Sequence, residues 1–550
     1  MKKILYYSII CVIGSFTFFS CSLDEVPFDK YSEKVIWSTP EKANLYLNGF
    51  YTYLQKYGQF GSDQFGTQGV LTDGMTNELK YASTVPAYGT PNDYAYYPDK
   101  ITSQQNSLDV WAGVYDRVRR IHEFMNGLNE YANFEESVKT DLEAQIRFFR
   151  AYIYFQLMIR HNQFIIIDHL TSEKNNPLGS TEECWNFIEQ DLAFAARNLP
   201  VTRSSSETGR LTKGAALAYL SRVALFAKDW AKADSAAQAC INLKDGNGAS
   251  VYELNSSYQD AYTKSYYAGN KEAIIEFLFA SPNITHEMDL LFAPGGDEGN
   301  TAKVTLAGPT QEMVEMYELK TGGYPDWSEW HGTTTTTPPY DQLEPRFSAS
   351  VLYNNAPWKG RNIEAYIDGV DGFHNYGDFQ QSNGHTVTGY FLKKVLDENK
   401  SVIDGQSTTP YIEIRLAEVY LNLAEAAYNL NDPATANSAL NAVRSRVELP
   451  SVNKSGSDLR DAIYHERKVE LAFEGHIFWD LRRWGLAPSE LNNVRFHGLR
   501  ITKTGDETFQ YEYVDVDDHD RVFPELLGKT FPLPLSELNN NSAVDQLPGW

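Results

Sequence analysis

The sequence predicts a mostly α-helical protein in which tetratricopeptide-like helical hairpins form a scaffold that carries large loop-rich insertions and a few short strands. Three observations predict it. Helical periodicity recurs at 38–57, 108–128, 138–161, 181–199 and 212–243, and returns in 411–485. Two of the helical stretches resemble each other at an offset of 203 positions. Between the helical blocks, 58–104 and 281–409 are rich in Gly, Tyr, Ser, Thr and Asn and show no sustained period.

At the N-terminus, Lys2 and Lys3 precede an apolar run from Ile4 to Phe19, too short to span a bilayer and laid out as a secretory signal. The run ends at Ser20-Cys21, a small residue followed by cysteine, where a bacterial lipoprotein signal is cut and the thiol acylated. Several acyl chains at roughly 0.8 kcal/mol per buried CH2 give stable anchoring. The expected organisation is a signal peptide at 1–20, a lipidated tether from Cys21 at 21–37, and a single domain over 38–550.

No later stretch approaches the roughly 18 consecutive apolar residues of a membrane helix. The formal charge of −24 argues against nucleic acid or an anionic membrane face as partner and leaves neutral ligands open. Cys11 leaves with the signal and Cys21 carries lipid, so Cys184 and Cys240 remain, both in helical patterns suited to buried thiols rather than a disulfide framework. The 35 Tyr and 10 Trp offer many flat apolar faces with a polar handle.

Helix one opens at Ser38-Thr39-Pro40-Glu41, a capping residue followed by proline at the first helical position. In the repeat, Ala227-Lys-Asp-Trp-Ala-Lys-Ala-Asp-Ser-Ala236 matches Leu430-Asn-Asp-Pro-Ala-Thr-Ala-Asn-Ser-Ala439, while Leu220 and Ala224 fall on Leu423 and Ala427. Each copy reads as helix, tight turn at Asp, helix, with small residues where the paired helices face. Strand-like pieces occur at 273–279 and 389–396. A rigid scaffold holding irregular loops points to the insertions as the place for a site.

Enzyme chemistry finds little purchase. Glu466, Glu470 and Glu474 share one helical face, and paired carboxylates can serve glycoside hydrolysis. Arg467, Arg482 and Arg483 lie nearby in sequence and favour a structural ion-pair network instead. Leu527-Gly-Lys-Thr530 lacks the upstream glycine of a phosphate loop. The acidic run Asp515, Asp517, Asp518 and Asp520 lacks the glycine of a calcium loop, so it reads as a solvated acidic turn, with structural calcium as the lesser alternative. No other metal or cofactor is expected.

The stretch His465-Glu-Arg-Lys-Val-Glu-Leu-Ala-Phe-Glu-Gly-His-Ile-Phe-Trp-Asp-Leu-Arg-Arg-Trp-Gly485 resembles the signature of the SusD/RagB family. Trp111-Ala-Gly-Val-Tyr115, Phe148-Phe-Arg-Ala-Tyr-Ile-Tyr-Phe155, Gly209-Arg-Leu-Thr-Lys-Gly-Ala-Ala216, Arg415-Leu-Ala-Glu-Val-Tyr-Leu421, Phe531-Pro-Leu-Pro534 and Leu547-Pro-Gly549 follow the family's order, as does Cys21-Ser-Leu-Asp24 at the start. One departure is His161-Asn162, where the family has a glycine-containing turn. The resemblance implies a tetratricopeptide-like helical fold docked on a SusC-like TonB-dependent transporter barrel of the outer membrane. It implies a surface lipoprotein that binds glycan on exposed aromatics and passes it to that barrel without catalysis, some members being associated with peptide instead.

A pyranose presents an apolar C–H face that stacks on Trp or Tyr, while its hydroxyls need Asn, Asp, Gln or Arg. Candidates in the first insertion are Tyr88, Tyr94, Tyr96 and Tyr97 beside Asn92 and Asp93. In the second they are Tyr324, Trp327 and Trp330 beside Asp326, on solvent-facing loops, together with Trp358. Trp111, Trp185, Trp230, Trp479 and Trp484 sit on helical periodicity or within the signature and are assigned to the core.

Overall fold

The computed structural model describes residues 33–61, 72–82, 98–297, 305–375, 384–394, 396–401 and 406–550. Long helices are numbered α1 (Pro40–Lys56), α2 (Trp111–Glu130), α3 (Glu136–His161), α4 (Thr181–Asn198), α5 (Lys213–Ala227), α6 (Trp230–Ile241), α7 (Leu416–Asn429), α8 (Pro433–Arg446), α9 (Gly456–Glu470) and α10 (Ile477–Trp484). Their starts follow local chemistry. Thr39 caps α1 by accepting from Lys42 N, with Pro40 at the first turn, and Ser180 and Glu183 form a reciprocal capping box at α4.

Each helix from α2 to α5 packs on the next, α6 lies against α7, and α9 packs on α7 and α8. Helix α3 is apolar on nearly all sides through its second half and runs buried through the middle. Asn162, at the position where the resemblance implies a glycine-containing turn, adopts the left-handed conformation, φ 58°, that ends this helix, a role asparagine also tolerates. Trp37 lies not in a free tether but in the core. It follows a helical turn at Glu33–Ile36 and meets Phe124 edge-on at 5.0 Å. Only a glycine at 127 admits it, since a Cβ there would lie 2.2 Å from Trp37 Nε1.

The repeat is real in three dimensions. Lys228 and Asn431 both take φ 60°, Asp229 N and Asp432 N donate to Ala224 O and Ala427 O at 2.9 Å each, and both aspartates cap the following helix. Ala224, Leu225, Ala233 and Ala426 form a small seam where the two hairpins meet. Buried arginines tie neighbouring helices: Arg150 of α3 grips Asp191 of α4 at 2.7 and 2.8 Å, and Arg222 of α5 grips Glu418 of α7 at 2.7 Å.

Outside the scaffold, short strands form small antiparallel sheets rather than one large sheet. These are β1 (Leu79–Tyr81) with β3 (Ala307–Pro309), β2 (Ala273–Phe277) with β7 (Tyr411–Arg415), and β5 (Val351–Tyr353) with β6 (Tyr390–Leu392). A three-stranded sheet runs in the order β8 (His497–Lys503), β9 (Phe509–Asp515), β4 (Thr333–Thr334). A second hydrophobic cluster, containing Trp327, Trp330, Trp358, Phe347, Tyr390 and Leu499, lies beneath these sheets, so the insertion at 281–409 shares a core with segments that precede and follow it in the chain. Cys184 and Cys240 are free and buried.

Candidate functional site

Cys21 and the first-insertion candidates Tyr88, Asn92, Asp93, Tyr94, Tyr96 and Tyr97 lie outside the described residues. The second-insertion candidates divide sharply. Tyr324 is 54% exposed and stands at the tip of a turn closed by Gly322 N and Gly323 O, each bonded to Leu319 at 2.8 Å. Gly322 and Gly323 take φ 83° and 77°, which side-chain-bearing residues reach only with strain. The ring meets His465 of α9 edge-on, and partial desolvation against that helix pushes the tyrosine pKa up to about 12. Asp326 is exposed beside it and accepts from Ser328 N at 3.0 Å; bonding from the Ser328 side chain, and then from this backbone N–H, lowers its pKa.

Trp327 and Trp330 are not solvent-facing as the sequence suggests. They are 6% and 8% exposed, packed edge to face at 5.6 Å, and Trp330 Nε1 donates to Thr336 O at 2.9 Å. The cover comes from far along the chain: β4 pairs with β9, and Tyr513 N donates to Gly332 O at 2.9 Å. Trp358 is likewise core, 2% exposed, its Nε1 held by Asp297 at 3.0 Å. Arg361 bridges Asp297 and Asp371, so this tryptophan helps lock loop roots rather than offering a stacking face. Of the five tryptophans assigned to the core, Trp111 and Trp479 are buried, while Trp185, Trp230 and Trp484 are partly buried against it.

Glu466, Glu470 and Glu474 do form an ion-pair network, with partners other than those adjacent in sequence. Arg346 reaches Glu466 at 2.6 Å and Glu470 at 3.0 Å, Arg415 reaches Glu474 at 2.6 Å, and Arg446 also contacts Glu470. Arg467 instead pairs with Asp480, Arg483 with Glu425 and Asp480, and Arg482 with backbone carbonyls. Burial pushes the Glu470 carboxyl up, but Arg446, Arg415 and Arg346 outweigh it and hold it well below the usual carboxylate range. A general acid needs the opposite shift.

The acidic run is not a solvated turn throughout. Asp517 is buried between Lys80, at 2.6 Å, and Arg521, at 2.9 Å. Asp515 and Asp520 both meet Arg495, and Asp518 meets His519. Each of the four carboxylates is thus engaged by a basic group of the protein, Asp515 and Asp520 sharing Arg495.

The structure also exposes groups that the sequence reading passed over. In the turn 364–371, Tyr366 carries the Lys503 ammonium 5.2 Å over its ring, and Val370 beside it is 51% exposed. Tyr366 stands in the insertion as isolated aromatic and aliphatic residues around Asp368-Gly369, a turn signal without the aromatic density that marked the other candidates.

Comparisons with known proteins agree with this architecture. The family model described as SusD family matches residues 253–550, and one described as starch-binding associating with outer membrane matches residues 23–225. A SusD-like protein of Bacteroides ovatus is 28% identical over 452 residues, 76% of this chain and 76% of that protein. The SusD-like protein P25 of Formosa agariphila is 23% identical over 518 residues, 89% of this chain and 91% of that one. Among solved structures, a SusD-like protein from Bacteroides fragilis superposes with a TM-score of 0.80 at 26% identity, covering 96% of this chain and 100% of that chain. A laminarin-binding SusD-like protein shares the fold with a TM-score of 0.67 at 21% identity, over 93% and 99% of the two chains. With the first model spanning more than half its length and relatives aligned along most of it, the chain belongs to the SusD/RagB family.

Proposed function

We propose that this protein is a lipid-anchored, cell-surface glycan-binding protein that captures oligo- or polysaccharide and delivers it to a SusC-like TonB-dependent transporter barrel in the outer membrane. The observation that carries the reading is the match of residues 23–225 to a family described as starch-binding associating with outer membrane. The laminarin-binding structural neighbour and the Ser20-Cys21 acylation motif support it. No helix among the described residues is long and apolar enough to cross a membrane, and the proposed anchor is the lipid on Cys21. Tyr324 supplies an exposed ring and Asp326 an adjacent acceptor for sugar hydroxyls. Tyr88, Asn92, Asp93, Tyr94, Tyr96 and Tyr97 are the further proposed contacts. The role needs no catalysis, and the glutamates of the signature are engaged in ion pairs.

The test is direct binding of the chain from Ser22 onward to a panel of plant, host and microbial polysaccharides and oligopeptides, by calorimetry or retardation in ligand-containing gels. Saturable glycan binding without sugar release is expected. Peptide-only binding would move the protein to peptide uptake, and turnover of a glycan would make it a hydrolase.

A further inference from the structure

In a chain of formal charge −24, one pocket is walled by cations. It has a volume of about 180 Å3 and opens where the C-terminal ends of α3 and α5 approach α10 and the end of the short helix Glu525–Lys529. Arg482 forms its floor and is only 7% exposed. Its Nε donates to Leu527 O at 2.9 Å and its Nη1 to Ile159 O at 2.6 Å. Among the described residues no carboxylate pairs with it, and Nη2 has no protein acceptor. Arg160, just behind it, also donates only to carbonyls, those of Leu108, Gln156 and Phe60. Both guanidiniums lie over the Trp479 ring, at 4.6 and 5.3 Å. Burial, and then the charge of Arg160, bring the Arg482 pKa down to about 9.

This arrangement is unusual within the same molecule. Arg150, Arg222, Arg346, Arg415 and Arg467 are buried too, and each is matched by a carboxylate. A buried guanidinium without a counter-ion is costly, and carbonyl dipoles repay only part of that. At the mouth, Lys228 is exposed and forms no ion pair among the described residues. Lys529 pairs only with the exposed Glu525, at 3.1 Å. The side walls are the flat rings of Trp185 and Phe226. Two cations lacking a fixed carboxylate therefore point at a small space with aromatic walls.

We propose that this pocket binds a sugar-sized ligand through an oxyanion, a carboxylate or sulfate ester held by Arg482 and Lys228, with its ring against the aromatic wall. The site is separate from the face carrying Tyr324 and does not depend on the capture of neutral glycan there. An anionic group completes the pairing that Arg482 lacks, and charge-assisted bonds from a desolvated arginine are among the stronger polar contacts.

The experiment titrates the chain from Ser22 onward with glucuronic acid, glucose 6-sulfate, inorganic sulfate and glucose at low salt, following calorimetric heat and tryptophan fluorescence. Saturable binding of glucuronic acid or glucose 6-sulfate is expected, about tenfold or more tighter than glucose, and weakening as salt rises. Whichever of the two sugars binds names the carboxylate or the sulfate ester as the recognised group. Lys228→Asn, which keeps a side chain that tolerates the left-handed backbone, should lower the affinity severalfold without changing the fold, and Arg482→Gln should abolish binding. If Arg482→Gln fails to fold, Lys228→Asn decides. Equal binding of glucose and the anionic sugars, no saturable anion binding, or an unchanged affinity in Lys228→Asn would overturn the proposal. Inorganic sulfate binding as tightly as either sugar would overturn the role of the aromatic wall. Tyr324→Ala leaves this signal intact, which separates it from capture at the loop face.

Discussion

The ring of Tyr324 stands edge-on to His465, with centroids 5.3 Å apart and planes at 85°, so a scaffold helix holds an otherwise exposed aromatic in a fixed orientation. A stacking ring that is already ordered loses little entropy on binding. Tyr324→Ala should therefore weaken glycan binding by about 1–3 kcal/mol while leaving the thermal midpoint nearly unchanged. Tyr324→Phe should retain most of the affinity, because the ring face rather than the hydroxyl meets the sugar. Affinity gels run alongside thermal melts check both, and equal affinity in the alanine variant removes Tyr324 from the site.

Trp327 and Trp330 should behave in the opposite way. Each is buried in the second core, so Trp327→Ala or Trp330→Ala removes packed aromatic volume and should cost about 3–5 kcal/mol of stability. Denaturant unfolding reads this as a lower midpoint. A variant that melts like wild type yet loses ligand would show that these rings face the ligand after all.

The difference between these residues marks where the sequence stops being informative. Helix boundaries were legible because caps, periodicity and turn residues are local: Thr39, the Ser180–Glu183 box and the matched Asp229 and Asp432 all do in the structure what their spacing implies. Burial of Trp330 was not legible, because its cover is β9, more than a hundred residues downstream. The network around Glu470 was legible in kind but not in membership. Arg467 and Arg483 are its neighbours in sequence, yet Arg346 and Arg415 arrive from 124 and 55 positions away. The aromatics Tyr324, Trp327 and Trp330 looked alike in composition, and the left-handed turn at Gly322 and Gly323 precedes the one ring that stands outside the core.

The shared turn of the two hairpins gives a paired prediction. Asp229 Oδ1 accepts from Lys232 N and Asp432 Oδ1 from Thr435 N, both at 3.1 Å. Replacing either aspartate by alanine leaves helix N–H groups unbonded and should cost about 1 kcal/mol. Each side chain makes a second contact, Asp229 with Lys232 Nζ at 2.8 Å and Asp432 with Thr435 Oγ1 at 2.6 Å, so the two changes should cost about the same. Chemical denaturation of the two single variants provides the comparison, and a neutral result at both would mean solvent replaces the caps fully.

Arg415 joins Glu272, Glu470 and Glu474 and so ties β7 to the segment before β2 and to the end of α9. Arg415→Met leaves three buried carboxylates with reduced compensation and should destabilise by about 3–5 kcal/mol. The burden falls on the carboxylates, so part of the loss should return at acidic pH, where Glu474 can take up a proton once its arginine is gone. Unfolding free energies of the variant measured across pH test this, and a loss below about 1 kcal/mol would assign the network to specificity rather than stability.

His497 supplies the pH dependence whose sign can be fixed. Its Nδ1 lies 2.6 Å from Glu312 Oε1 and its Nε2 3.2 Å from Asp515 Oδ1, while the ring stacks on Tyr513 at 4.3 Å. Burial disfavours the imidazolium, but the bond to Glu312 and the charges of Glu312, Asp515 and Asp517 outweigh it and raise the pKa. A histidine that holds its proton more tightly when folded stabilises the fold fully below its unfolded pKa, about 6.5. That contribution is lost as pH rises through the higher folded value. His497→Gln should therefore cost more stability at pH about 5.5 than at pH about 8.5, the difference isolating this group from the other titrating residues. His331 Nε2 lies 2.8 Å from Glu315 Oε1, and its ring also meets Tyr513, at 4.7 Å. Because His331 closes the short turn that follows Trp327, loosening this face at alkaline pH should reach the segment behind Tyr324. Protection factors of residues 328–334 at the two pH values, corrected for base-catalysed intrinsic exchange, read that coupling, and lower protection at the acidic value would reverse the assigned sign.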